Sequence, residues 1–278
     1  MIIDAHQHFW NFDPVRDSWI NEEMKTLKRD FLPEELNDIY SANKIDGCIA
    51  VQADQSTDET NFLLSLAEKY PFIKGIVGWI DPSSKFFRDE LNVYKSASKL
   101  KGFRNIIQGE DDSRFFTNKF FLEGMSILQD TRFTYDVLIY HYQLAAAIRF
   151  TERFPDQKFM LDHCAKPDIK NGNIKNWKRE IKIIAENPNI YCKLSGLITE
   201  ADWKTWHYQQ ISPYLEIAGE YFGTDRLCFG SDWPVCLLAG KYEQMLDIIN
   251  TFTLQISTKE KEKVMGWNAV KFYQLSSI

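Results

Sequence analysis

An eightfold alternation of short apolar segments with helical patterns restricts the folds open to this sequence. Each apolar segment has the length and composition of a strand, and each is followed by apolar residues at helical spacing. The predicted strands cover residues 2–10, 47–52, 72–80, 100–106, 134–140, 158–163, 190–195 and 226–230. The predicted helices cover residues 31–43, 57–70, 120–129, 143–154, 174–186, 207–221, 242–252 and 257–272, with one more beginning at Asp81.

Strands that are apolar on both faces and separated by helices are typical of parallel β/α units, in which helices cover the sheet. Eight such units in 278 residues predict an α/β fold of the (β/α)8 TIM barrel type. An open, doubly wound sheet is the alternative. It predicts a glycine-rich phosphate loop after the first strand, and the sequence has none there. No linker, repeat or low-complexity tract divides the chain, so we expect a single domain over residues 1–278.

The composition argues against several classes of partner. The net charge is −6 and the lysine and arginine residues are scattered, so no basic patch predicts binding to nucleic acid or to an anionic membrane. The five cysteines are widely spaced, without a C-x-x-C pair, which argues against a disulfide framework or a structural zinc site. A signal-peptide pattern is absent and no stretch approaches about 18 consecutive apolar residues. We therefore expect a cytoplasmic protein that does not cross a membrane.

Two histidines stand one residue apart in the first predicted strand. His6 and His8 occupy alternate positions, so their side chains point to the same face of the strand. Two imidazoles directed at one point can hold a metal ion or polarise a reacting group. The alternatives are a pair of surface histidines or one core histidine whose ring is hydrogen-bonded to a carbonyl, and partner residues at other strand ends would argue against both.

Polar residues recur at the predicted carboxyl ends of other strands, where barrel enzymes carry their active sites. Four of the five histidines fall at strand ends, and His207 is the exception. Asp162 precedes His163 on the same strand, so we expect it to point to the opposite face in a structural role. Besides His6 and His8, the strand-end residues are Arg104, Tyr140, His141, Tyr142, Asp162, His163, Lys166, Lys193, Ser195, Ser231 and Asp232.

Four short motifs occur in one order along almost the whole chain: DAHQHFW at 4–10, KGFR at 101–104, LDHCAKP at 161–167 and FGSDWP at 229–234. Together they resemble the amidohydrolase superfamily, in particular its branch of sugar lactonases (L-fuconolactonase-like enzymes) and lactone hydrolases of aromatic pathways. The resemblance implies a (β/α)8 hydrolase in which His6, His8, His163 and Asp232 form the catalytic cluster. The four motifs in this order are specific for that branch of the superfamily, but they do not identify a substrate.

The residue types in this cluster are suited to hydrolysis. Asp232 can accept a proton from water as a general base. The histidines can hold a divalent metal or donate hydrogen bonds to an oxyanion. Arg104 offers a planar fork for a substrate carboxylate or hydroxyl groups. The structural alternatives are a helix N-cap for Asp232 and a rim ion pair for Arg104. Further candidates for substrate binding are Trp10, Trp79, Tyr140, His141 and Trp233.

His6, His8, His163 and Asp232 are also the candidate metal ligands. Dinuclear members of the superfamily use a bridging lysine carbamate or glutamate on strand four or five, and this sequence has no lysine at a matching strand end. We therefore expect either one weakly bound divalent ion, zinc or manganese, or none. The ligand role of His141 is open, because it is offset by one residue from the position that relatives use. The role of Lys193 is also open: it could lie at the bottom of the barrel or pair with an acidic residue.

We predict a hydrolase that opens the lactone ring of a small molecule, a sugar acid in the first instance, with water as the nucleophile. The sequence leaves the oligomeric state open. The alternatives are a metal-dependent decarboxylase of an aromatic acid on the same barrel and a non-catalytic binding barrel. The decarboxylase branch typically carries an acidic residue beside the first histidine motif, where this chain has Gln7. The intact cluster argues against a non-catalytic barrel.

Overall fold

The computed structural model describes residues 1–111 and 115–276 of the chain. Eight strands form one sheet in sequential order, and every neighbouring pair from β1 to β8 is parallel. Each strand lies within its predicted segment, and the predicted (β/α)8 barrel is confirmed. The strands are β1 (Ile3–Gln7), β2 (Gly47–Val51), β3 (Ile73–Gly78), β4 (Leu100–Ile106), β5 (Thr134–Leu138), β6 (Phe159–Leu161), β7 (Ile190–Leu194) and β8 (Leu227–Phe229).

The segment that follows β8 closes the barrel against β1. The Asp232 N–H donates to the His6 carbonyl oxygen at 2.8 Å, and the His8 N–H donates to the Trp233 carbonyl oxygen at 2.7 Å. A side chain reinforces this closure, because the Ser231 hydroxyl donates to a carboxylate oxygen on β1 at 2.6 Å. The backbone that closes the barrel therefore carries three of the four predicted cluster residues.

An irregularity in β1 directs the histidines into the lumen. Ala5 packs in an apolar cluster with residues of β2, β3, β6 and β8, which can meet only inside the barrel. Asp4 points outward and accepts a hydrogen bond from the Tyr40 hydroxyl at 3.0 Å. The register of β1 against β2 shifts after Asp4, as in a β-bulge, which interrupts the alternation of faces. Ala5 and His6 can therefore both face the lumen although they are neighbours in sequence.

The helices surround the barrel, and two of them differ from the prediction. The helix expected at Asp81 begins at Phe87, because Asp81 accepts hydrogen bonds from two following backbone N–H groups and forms a turn. The single helix expected over 257–272 is divided by a π-helical turn, Lys263–Trp267. The helices are α1 (Pro33–Asn43), α2 (Thr57–Lys69), α3 (Phe87–Val93), α4 (Lys119–Leu128), α5 (Leu144–Thr151), α6 (Ile174–Ile184), α7 (Tyr208–Phe222), α8 (Tyr242–Phe252), α9 (Thr258–Glu262) and α10 (Asn268–Phe272).

Two apolar cores hold the fold together. The larger one lies between the sheet and the surrounding helices. The smaller one fills the amino-terminal part of the lumen, where Phe272 and Tyr273 from the end of the chain close it. All five cysteines are buried with free thiols. Within 1–111 and 115–276, no helix has both the length and the apolar character needed to cross a bilayer.

Candidate active site

The carboxyl end of the barrel gathers the four residues of the predicted cluster. His6 Nε2 lies 3.2 Å from His8 Nε2. Asp232 Oδ1 lies 3.4 Å from His8 Nε2 and 3.8 Å from His6 Nε2. His163 Nε2 is 3.8 Å from the same carboxylate oxygen. All four residues are at most 5% exposed, so folding brings together buried polar groups that lie far apart in the sequence.

The chain turns sharply after β6, and this turn decides how Asp162 and His163 are oriented. Residues 163–166 all have φ between 46° and 59°, a left-handed conformation that ends the alternation of a strand. Asp162 and His163 consequently both reach the lumen. Asp162 Oδ1 lies 3.4 Å from His6 Nδ1, and His163 Nδ1 lies 2.8 Å from the Ser195 hydroxyl oxygen. The expectation that Asp162 points to the opposite face is wrong, because Asp162 keeps the lumen side of Met160, two residues before it, and the left-handed turn brings His163 to the same side.

His6, His8 and Asp232 form a donor set whose ligand atoms all lie within 4.8 Å of one another, close enough to share one small divalent cation, whereas His163 belongs to a second set with His6 and Asp162. Two ligand atoms on a tetrahedral zinc ion lie about 3.3 Å apart, given Zn–N distances of about 2.0–2.1 Å. The separations among the donor atoms of His6, His8 and Asp232 are 3.2, 3.4 and 3.8 Å. His8 also has the tautomer that a ligand needs, because its Nδ1 donates to the Val51 carbonyl oxygen at 2.8 Å and leaves the Nε2 lone pair facing the cluster. Imidazole and carboxylate together suit zinc or manganese.

Arg104 lines the space above the cluster but is held by protein groups. Its Nη1 donates to Asp162 Oδ2 at 3.1 Å and lies 3.3 Å from His6 Nε2. Its Nη2 donates to the carbonyl and side-chain oxygens of Gln52. The guanidinium is 3% exposed, so it is not a rim ion pair. Its Nε has no hydrogen-bond partner among the described residues.

A buried lysine lies beside the cluster. Lys193 Nζ donates to Asp136 Oδ2 at 2.5 Å and forms an ion pair with Asp162 Oδ1 at 2.9 Å. It also lies 3.1 Å from His6 Nδ1. The Tyr273 hydroxyl donates to the same Asp136 oxygen at 2.8 Å. Of the two alternatives for Lys193, the structure shows the ion pair. Sequence reasoning missed Asp136, although a carboxylate inside the apolar run TYDVL signals a buried cationic partner.

A cavity of about 310 Å³ opens above the cluster. This volume is at the lower end for small-molecule sites. Gln108 Oε1 is buried there without a hydrogen-bond partner among the described residues, so it can accept a hydrogen bond from a ligand. The polar lining residues are His8, Arg104, Gln108, His163, Lys166 and Asp232, and the apolar ones are Trp10, Trp19, Ala53, Ile106, Leu138 and Val235.

Trp79 and Trp233, which the sequence suggested for substrate binding, both contact residues of the protein framework. Trp233 is fully buried and packs edge-to-face against Phe9 and Phe31. Its indole therefore stabilises the core, while its backbone closes the barrel. Trp79 is anchored through its backbone, because its N–H donates to the Thr60 hydroxyl oxygen and its carbonyl oxygen accepts from the same hydroxyl. Neither Trp79 nor Trp233 is among the residues that line the cavity.

Tyr140 and His141 lie on the turn after β5, next to a residue that lines the cavity. His141 Nδ1 is 3.0 Å from the Lys166 carbonyl oxygen. The Tyr140 ring stacks on Tyr142 and lies 5.8 Å from the Lys166 ammonium. Lys166 itself pairs with Glu200 at 3.0 Å. Sequence reasoning placed Lys166 at a strand end without giving it a role, and the structure shows that it is a cation of the cavity wall.

Electrostatics favour an ionised Asp232 beside neutral His6 and His163. Burial alone would raise the pKa of Asp232, but His163, His8 and Lys166 outweigh this effect and hold the pKa below its usual value. Burial also lowers the pKa of His6 and of His163 well below that of a free histidine. Asp232 is therefore a carboxylate that can accept a proton.

The site thus combines a parallel (β/α)8 barrel with an H-x-H motif at the end of β1, a histidine after β6 and an aspartate after β8. A sequence profile of the Amidohydrolase family matches residues 3–275, and the chain belongs to that family.

Three similar proteins cover nearly the whole chain. An L-fucono-1,5-lactonase of Burkholderia multivorans is 36% identical over 98% of this chain and 96% of its own length. An L-fucono-1,5-lactonase of Burkholderia ambifaria is 29% identical over 98% of this chain and 95% of its own. A crystal structure of an amidohydrolase from Burkholderia multivorans with bound zinc superposes with a TM-score of 0.96 at 35% identity, covering 99% of this chain and 100% of that one.

Proposed function

We propose that this protein is a lactonase that hydrolyses the cyclic ester of a sugar acid. The observation that carries the proposal is the position of Asp232, a buried carboxylate among three histidines at the wall of a small cavity. Two relatives of nearly full coverage, at 36% and 29% identity, are L-fucono-1,5-lactonases. They support an aldonic acid lactone as the substrate, and L-fucono-1,5-lactone is the first compound to test.

The reaction needs a base, a site for an oxyanion and a proton for the leaving oxygen. Asp232 accepts a proton from water as the water oxygen attacks the lactone carbonyl carbon. The carbonyl π electrons move onto the carbonyl oxygen, and N–H donors at the cavity wall stabilise the resulting negative charge. When the tetrahedral intermediate collapses, the ring C–O bond breaks and protonated Asp232 returns its proton to the departing oxygen. The product is the open hydroxy acid, and the carboxylate is regenerated.

The cavity lining is compatible with a ring that carries hydroxyl groups. Trp10 and Trp19 pack edge-to-face with ring centres 6.2 Å apart, and aromatic walls of this kind contact the C–H faces of a ring. Gln108 offers an unpaired acceptor for a hydroxyl group. Lys166 and the edge of Arg104 supply positive charge beside the carbonyl. One wall therefore binds the carbon frame, and the other binds the polar groups.

A divalent cation held by His6, His8 and Asp232, with His163 beside Asp232 as a further donor, would supply Lewis-acid polarisation of the lactone carbonyl. We expect any such ion to be single and weakly held. A lactone is an activated ester, so Asp232 and the hydrogen-bond donors are sufficient for most of the rate. Removal of metal should therefore leave most of the activity intact.

The test is a panel of sugar and dicarboxylic acid lactones in a pH-indicator assay, with and without chelator. Asp232→Asn should lower kcat by about 10²–10⁴-fold, the usual contribution of a general base, and should keep the circular dichroism spectrum. The matched control is Asp225→Asn, which removes an exposed carboxylate paired with Lys263, and it should retain full activity.

The outcomes separate the parts of the proposal. If no lactone is opened, or if Asp232→Asn stays within tenfold of wild type, the proposed function is wrong. If chelator abolishes lactone hydrolysis and zinc or manganese restores it, the expectation of a weak, dispensable metal is wrong, while the lactonase function stands.

A further inference from the structure

Lys193 is fully buried beside the cluster and has no part in the reaction described above. Two carboxylates balance its charge, Asp136 at 2.5 Å and Asp162 at 2.9 Å. Its third neighbour is His6 Nδ1 at 3.1 Å. An ammonium group can only donate hydrogen bonds, so this contact is favourable only if Nδ1 of His6 carries a lone pair.

The competing acceptor for a proton on Nδ1 is less well placed. Asp162 Oδ1 lies 3.4 Å from Nδ1, and the Lys193 ammonium already pairs with this oxygen at the shorter distance of 2.9 Å. A proton on Nδ1 would face the Lys193 ammonium at the shorter distance. The Nδ1 side of the ring therefore favours His6 protonated on Nε2.

The other side of the ring leads to the same assignment. His8 Nδ1 donates to the Val51 carbonyl oxygen at 2.8 Å, which leaves a lone pair on His8 Nε2. A lone pair on His6 Nε2 would face it at 3.2 Å, whereas a proton there makes a hydrogen bond. The donors then run in one direction, from Lys193 to His6, from His6 to His8, and from His8 to the backbone.

One contact opposes this assignment. Arg104 Nη1 lies 3.3 Å from His6 Nε2, where two N–H groups would meet. The same Nη1 has a better acceptor in Asp162 Oδ2 at 3.1 Å. With the proton on Nδ1, two contacts would be opposed instead, those with Lys193 and with His8. A cation bound between His6 and His8 would remove the repulsion between their Nε2 lone pairs.

We propose that Lys193 is a positioning residue that holds metal-free His6 in its Nε2–H form, and that it thereby weakens metal binding at the cluster. A histidine that binds metal through Nε2 must carry its remaining proton on Nδ1, which here faces Lys193. The Nε2–H also gives the cavity a hydrogen-bond donor for the substrate carbonyl. That last role rests on the proposed lactonase function, whereas the tautomer and the metal affinity do not.

The tautomer can be read directly by NMR. Chelator-treated protein labelled with ¹⁵N-histidine shows the protonation of each ring nitrogen in long-range ¹H–¹⁵N correlations. The sequence has five histidines, and the signals of His6 are assigned by their loss in His6→Asn. We expect wild-type His6 to be protonated on Nε2 and unprotonated on Nδ1. Zinc affinity is measured in competition with a chromophoric chelator.

The informative variant is Lys193→Met combined with Asp136→Asn, which removes the ammonium together with one of its carboxylates. We expect the His6 proton to shift towards Nδ1, where Asp162 can accept it, and zinc to bind at least about tenfold more tightly. The control is Tyr273→Phe, which perturbs the same buried network through Asp136 without touching His6. It should change neither the tautomer nor the zinc affinity.

Wild-type His6 protonated on Nδ1 would overturn the proposal, even if the double variant did not fold. A folded double variant with zinc affinity within about twofold of wild type would overturn it as well. If His6 is protonated on Nε2 and zinc affinity rises in the variant but no lactone reacts, the tautomer proposal holds and the proposed function fails.

Discussion

Gly196 leaves the space that His163 occupies, so its replacement by alanine tests how tightly the cluster is positioned. Gly196 has φ +61°, and a Cβ there would lie 2.6 Å from His163 Nδ1 and 3.1 Å from Asp232 Oδ2. The His163 ring would have to retreat by about 0.8 Å, from 2.6 Å to the 3.4 Å of an ordinary contact. A displacement of about 1 Å at a reacting group can cost on the order of 100-fold in rate.

Gly172 provides a matched control for the backbone. Its φ is +68° and a Cβ there would meet nothing within 4 Å. Both alanine variants share the cost of a left-handed residue, about 1–2 kcal/mol, and only Gly196→Ala adds overpacking of about 1–3 kcal/mol. We therefore expect Gly172→Ala to lose about 1–2 kcal/mol of unfolding free energy with unchanged kcat. Gly196→Ala should lose about 2–5 kcal/mol, with kcat lower by about 100-fold.

The measurements are urea denaturation for stability and lactone-opening kinetics at saturating substrate for kcat. A Gly196→Ala enzyme with a kcat within threefold of Gly172→Ala would refute the reasoning. It would mean either that the His163 ring can move without loss of rate, or that the ring has no part in the reaction.

Three further predictions follow from single contacts. Arg104→Ala should raise KM strongly and lower the free energy of unfolding by about 3–5 kcal/mol, because Asp162 loses a buried partner; Arg104→Lys should not restore KM, since lysine lacks the planar fork. An unchanged KM with a lower Tm would exclude Arg104 from substrate binding. Ser195→Ala should lower kcat by about tenfold with little change in KM, because His163 loses the partner that orients it; an unchanged kcat would contradict this. Burial raises the pKa of Glu59 to about 7 from 4.5, so the folded state retains this proton while the unfolded state releases it, and stability falls as the pH rises through that window. Wild type should therefore lose about 3 kcal/mol of unfolding free energy over this pH range, and Glu59→Gln should not. If urea denaturation at pH 4 and pH 8 shows the same loss for both proteins, the prediction is wrong.

The barrel could be predicted from the sequence because strand and helix periodicity are local properties. Each of the eight strands lies within its predicted segment. Helix boundaries were less certain where side chains compete with the backbone. Asp81 forms a turn and delays α3 to Phe87. A π-helical turn divides the last predicted helix, and Gly266 within it packs against the Met1 carbonyl.

The members of the cluster could be predicted, because barrel enzymes place their chemistry at strand ends, and His6, His8, His163 and Asp232 all stood there. Their orientation could not be predicted by counting alternate positions. Asp162 was assigned to the wrong face because His163 was counted as part of the same strand, whereas the left-handed turn at 163–166 ends the alternation between these two residues.

The contacts between residues far apart in the sequence could not be predicted from sequence patterns. Lys193 meets Asp136 and Asp162 only because three strands carry them to one level of the lumen. Trp233 looked like a cavity residue from its position after β8, yet barrel closure turns its indole into the core. Local periodicity depends on a few neighbouring residues, whereas the partners of a buried charge depend on the closure and register of the whole sheet, so their identities came from the folded structure.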